Sequence, residues 1–181
     1  ISAAATAFLI IPVITWMSNR WGKRNAFIVS TVISILGYIL KWWGFNPENP
    51  SMMFMPIPLM VFGIGGLFTL MMSMTADVCD LDELNNGMPR KEGTFGAIYW
   101  WMVKLGQGLA LVLGGLVLKL VGFDQNTVVQ SVETMTRLRV ADIVIPAVTA
   151  GLAILVMWKY DLTEEKAMEI KKELVRRRGE L

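Results

Sequence analysis

The chain has 181 residues, 54% hydrophobic and 18% charged, with a formal net charge of +2. Soluble domains carry about 25% charge, and here the charges cluster between long apolar runs, as in a membrane protein. One cysteine (Cys79) and no histidine exclude an internal disulfide and a cysteine-rich metal site, and remove the commonest general base; so small a net charge gives no reason to expect nucleic acid as a partner.

Five apolar segments follow in chain order: Ile1–Met17, Ala26–Trp43, Phe54–Thr75, Thr94–Val121 and Val140–Trp158. Each approaches the roughly 20 residues that cross a hydrocarbon core. Backbone groups in lipid must be satisfied within the segment, so all five are predicted helices of an all-α membrane protein. The first run is already in progress at Ile1, so an upstream portion is expected. Between the runs lie a basic turn (Ser18–Asn25), a turn-rich loop (Asn46–Ser51), a charged loop (Asp77–Gly93) and a polar stretch (Phe123–Arg139). Residues 1–158 are therefore read as membrane region and 159–181 as a charged amphipathic tail, with acids opening its helix and Arg176–Arg178 closing it.

Alternate connections give the sidedness. Twelve Lys and Arg fall on the side of the first turn, the charged loop and the tail; four fall on the other. The bias places the tail in the cytoplasm. Trp16, Trp21, Trp42, Trp43, Trp158 and Tyr160 sit near span ends, as an aromatic belt would.

The cation outside both groups is Lys104, about 15 Å into the fourth segment at 1.5 Å per residue. A cation at that depth is costly unless it faces a partner or a wet cavity. Helical spacing puts Trp100, Trp101 and Gln107 on a broad face with it, and an aromatic surface beside polar donors suits a sugar. A structural ion pair between helices is the alternative. Gly106, Ala110 and Gly114 recur every fourth residue and predict a close helix contact. Gly63, Gly65 and Gly66 thin the third segment, where Phe68, Thr69 and Ser73 are further candidates to face a cavity. Asp77, Asp80 and Glu83, at three-residue spacing, form an acidic stripe if the helix continues, with Arg90 across the Gly87-Met88-Pro89 turn. With no nucleophile or phosphate loop nearby, the stripe suggests salt bridges that make and break at a membrane edge rather than an enzyme; a solvated loop is the plain alternative.

Ala76–Glu83, Gly87, Arg90–Gly93 and Lys104-Leu105-Gly106 together resemble the glycoside–pentoside–hexuronide:cation symporters, the melibiose permease relatives of the major facilitator superfamily. Tyr160–Glu165 is similar to the start of their tail. Asn19–Arg24 resembles the superfamily's cytoplasmic turn, with Asn19 where an acid is usual, and Met88-Pro89 lengthens the acidic loop by one residue. The resemblance implies five spans equivalent to helices 8–12 of a twelve-helix fold, in a bacterial inner membrane. It implies a sugar or glycoside site at Lys104, Trp100 and Val103, with Phe68 opposite; Gln107 joins them by spacing. Asp77, Asp80, Glu83 and Arg90 are the expected conformational gate. The coupling monovalent cation, Na⁺ or H⁺, is expected to bind in an N-terminal six-helix half that this sequence lacks; no metal or other cofactor is expected here. A major facilitator carrier of a non-sugar solute and a non-transporting membrane scaffold are the alternatives.

Overall fold

A computed structural model describes residues 2–45, 49–87 and 90–179, with side chains from residue 9 onward. Six α-helices account for most of them: α1 (Ser2–Trp21), α2 (Lys23–Gly44), α3 (Ile57–Asn86), α4 (Glu92–Leu120), α5 (Val132–Trp158) and α6 (Glu164–Gly179). A short 3-10 turn, Pro50–Phe54, leads into α3. Among the described residues, four helical stretches are long and apolar enough to cross a membrane: α2, Pro50–Asn86, α4 and α5. The first expected span, Ile1–Met17, corresponds to α1, a helix that does not join those four. Asn46-Pro47-Glu48 and the Met88-Pro89 insertion lie outside the described residues.

Two boundaries differ from expectation for identifiable reasons. The charged loop expected from Asp77 is helical to Asn86, and α3 stops where Gly87 takes a left-handed conformation (φ 61°) and donates its N–H to the Glu83 carbonyl. Glycine alone adopts that conformation without steric cost. The 30 residues of α3 span about 45 Å, longer than a hydrocarbon core of about 30 Å, and its acidic residues are gathered at its C-terminal end. The polar stretch before the fifth span is likewise partly helical. The Ser131 side chain accepts the Thr134 N–H at 3.1 Å and starts α5, a capping geometry that satisfies an otherwise orphaned donor.

α2 is central and packs on α3, α5 and α1; α1 also packs on α3. The core comprises Ile10, Ile14, Met17, Ala26, Phe27, Leu70, Met74 and Met157. α3 and α2 approach closely because glycine faces serine: a Cβ on Gly63 would collide with the Ser34 side chain, and one on Gly66 with Ser30. The expected close contact at Gly106 and Gly114 is not made among the described residues, since nothing lies within 4 Å of a Cβ built at either. α4 touches α3 and α5 only sparsely and has no buried residue. Small residues permit close packing, but a partner helix must be there to use it.

Candidate functional site

Two groups of polar residues stand apart in this arrangement. The first is the middle of α4. Lys104 lies twelve residues after Glu92 in a 29-residue helix, about 18 Å along its axis. Its side chain is exposed, and among the described residues it has no ion-pair or hydrogen-bond partner. Trp100 is 48% exposed and packs edge-on against Tyr99 at 5.3 Å; Gln107 is exposed and Val103 half-buried. Phe68 is 37% exposed on α3. No hydrogen bond, ion pair or ring contact joins these five residues among the described residues. They lie on two neighbouring helices, on surfaces the other described helices leave uncovered. Such a surface can offer an ammonium, an amide and aromatic faces to a solute with hydroxyls and C–H patches.

The second group is the C-terminal end of α3. Asp77 is 2% exposed and Asp80 4%. Charges so deeply buried require partners, and each has one from a different element. Lys23, at the start of α2, pairs with Asp77 Oδ2. Arg90 Nε lies 3.3 Å from Asp80 and 2.9 Å from Glu92. Lys91 lies 3.2 Å from Asp82. Glu83 is gripped by Arg178 of α6 at 2.6 and 2.8 Å. Of the four expected gate residues, Asp80 and Arg90 meet directly, whereas Asp77 and Glu83 take other cations. Nothing in the sequence marks Lys23, Lys171 and Arg178 as partners of these acids. Their acidic partners are 54, 94 and 95 residues away, so no local spacing reveals those pairs.

Tyr160 also departs from the belt reading: it is half-buried, packs against the core and has a buried hydroxyl. Burial first, and then the nearby Asp77 charge, pushes its pKa up to about 12. The five tryptophans grouped with it are all exposed.

At the opposite end, Lys41 of α2 pairs with Asp142 of α5 at 2.6 Å. Lys41 also lies over the Tyr38 and Phe45 rings, and Arg139 over Trp42. Charged contacts thus gather at the two ends, with Lys104 between them. Among the described residues, no cluster of three or more Asp, Glu or Cys is placed to hold a metal ion.

The sequence profile of the family described as MFS/sugar transport protein matches residues 1–164. Similar curated proteins include a glucuronide carrier protein homolog of Escherichia coli, 27% identical over 172 residues, covering 92% of this chain and 36% of that protein. An isoprimeverose transporter of Lactiplantibacillus pentosus is 27% identical over 164 residues, covering 90% and 34%. The sodium-dependent lysophosphatidylcholine symporter 1-A of Danio rerio is 26% identical over 172 residues, covering 93% and 32%. The chain spans about a third of the length of these relatives.

Proposed function

We propose a transport function from one premise: the chain belongs to the MFS/sugar transport protein family and is an integral membrane protein. We infer that it acts within a longer polypeptide as helices 8–12 of a cation-coupled sugar or glycoside symporter, with α1 as the first of them. The observation that carries this reading is Lys104. A cation at mid-helix, unpaired among the described residues, on a helix with no buried residue, needs a wet cavity or a partner outside these residues. A second six-helix half would supply the other wall. Sugar and cation would bind near the bilayer midplane while the halves rock around them. Lys104, Trp100, Val103, Gln107 and Phe68 are this chain's contribution to the sugar site. The coupling ion, Na⁺ or H⁺, would be held by the other half. The bias of Lys and Arg supports a cytoplasmic location for α6 and the acidic end of α3 in an inner membrane.

The acidic end is the proposed gate. Asp80 and Arg90 tie α3 to the start of α4, and this pair is assigned to break as the helices shift. Replacing one partner strands the other charge. Asp80→Asn in the full-length protein is therefore expected to slow sugar exchange across liposome membranes by roughly tenfold or more, with sugar affinity nearly unchanged. Equal losses of affinity and exchange, with normal folding, would assign Asp80 to the sugar site instead. Unchanged affinity and exchange would remove it from both.

A second reading, transport of a non-sugar solute, is favoured by the similarity to the lysophosphatidylcholine symporter. It differs in what the α4 surface contacts. Competition for binding between glycosides and lysophospholipids separates the two readings.

A further inference from the structure

The tail helix does more than extend into solvent. Ala167, Ile170 and Leu174 of α6 are buried, and the helix packs on α3. This seam is short, with two large aliphatic side chains, and charges complete it. Arg178 grips both Glu83 oxygens, at 2.6 and 2.8 Å. Arg177 donates to the Leu84 carbonyl at 3.0 Å, while Glu173 accepts from both Arg176 and Arg177. Lys171 Nζ lies 3.4 Å from Asp77 Oδ1. The side chains of Lys171 and Arg178 are 53% and 54% exposed, those of Asp77 and Glu83 only 2% and 14%. The cations thus reach sunken carboxylates from the water side. Water and salt reach the cation of each pair and screen it, while the carboxylate stays sunken.

Asp77 is shared between elements. Its Oδ2 belongs to Lys23. Its Oδ1 is buried without a hydrogen-bond partner among the described residues, and so is the Tyr160 hydroxyl. The Tyr160 carbonyl accepts from Arg24 Nη1 at 3.4 Å, which links the connection before α6 to the start of α2. Among the described residues, Asp77 Oδ1 thus has the longer Lys171 ion pair but no hydrogen bond, the weaker side of a shared carboxylate.

We propose that α6 is a releasable ionic strap: Lys171 and Arg178 hold it over the end of α3. The strap regulates the gate proposed above, so its effect on transport rests on that reading; its docking and release do not. In the bound state, α6 joins the ends of α2 and α3 into one body. In the released state, Asp77 retains Lys23, and the end of α3 is free to shift against α4.

The test uses the full-length protein in liposomes, with Cys79 replaced by Ser and spin labels on cysteines placed at Asn86 and Lys172. Two distance populations are expected, short for the docked tail and long for the released one. In Lys171→Ala/Arg178→Ala the released fraction relative to the docked should rise roughly fivefold or more. The charge exchange Glu83→Arg/Arg178→Glu should restore docking lost in Arg178→Glu alone. One distance, unchanged in every variant, overturns the strap. So does failure of the charge exchange in protein that folds normally. Failure of the transport reading would appear separately, as absent sugar uptake in the unmodified protein, and would leave the distances interpretable.

Discussion

Lys104→Ala in the full-length transporter is expected to lower concentrative sugar uptake by roughly 10- to 100-fold, the range set by losing a hydrogen-bonded charge worth about 1.5–3 kcal/mol, while membrane expression stays near normal. Expression is preserved because Lys104 supports no described part of the fold: its helix buries no side chain, and the residue has no partner among the described residues. Lys104→Arg should rescue poorly. A planar guanidinium does not reproduce a compact three-donor ammonium in a shaped site. Trp100→Ala should chiefly weaken sugar affinity, since it removes an aromatic surface and leaves the cation. Binding and uptake measured on the same purified variants separate these effects. If Lys104→Ala transports normally, Lys104 faces headgroups or lipid and the α4 surface is no solute site.

The second large effect concerns the fold. Gly66→Ala is expected to destabilise the protein by about 1–3 kcal/mol, the usual range for overpacking a tight interface. The added methyl meets Ser30, which is fully buried and bonds the Phe27 carbonyl at 2.9 Å. The obstruction includes the Ser30 Cβ, not only a mobile side-chain end, so α2 and α3 must separate to relieve it. Adding Ser30→Gly should return most of the stability, because it restores the space from the other side. Thermal unfolding of the detergent-solubilised variants checks both. Stability unchanged in Gly66→Ala would mean that the α2–α3 contact is looser than this structure has it.

These effects sort into what the sequence reveals and what it conceals. The apolar runs are legible because lipid demands continuous hydrophobicity over a fixed length, and the four helical stretches that satisfy that demand overlap the second to fifth expected spans. Lys104 is legible because an isolated charge inside such a run is conspicuous. The glycine-rich runs are equally visible, yet spacing points to a close contact at Gly106, Ala110 and Gly114 and leaves bends or contacts open at the third segment's glycines. The structure assigns the close contact to Gly63 and Gly66. Small residues mark permission for close approach, and which helix accepts that permission depends on tertiary order. The acidic stripe was visible as three carboxylates at helical spacing, but Lys23, Lys171 and Arg178 were not visible as partners. Those pairs exist because α3 stays helical to Asn86 and α6 folds back on it, and neither fact is written in local spacing. Tyr160 resembles a belt residue by position; only packing shows its hydroxyl turned inward.

We propose that this chain forms part of a cation-coupled sugar or glycoside carrier. The most direct test is uptake of a radiolabelled glycoside by liposomes carrying the full-length protein, with an inward Na⁺ or H⁺ gradient imposed and then collapsed by an ionophore. The account predicts accumulation above the external concentration while one of those gradients stands, and loss of that accumulation when it is collapsed. Saturable glycoside entry that only equilibrates, indifferent to both gradients, would contradict it.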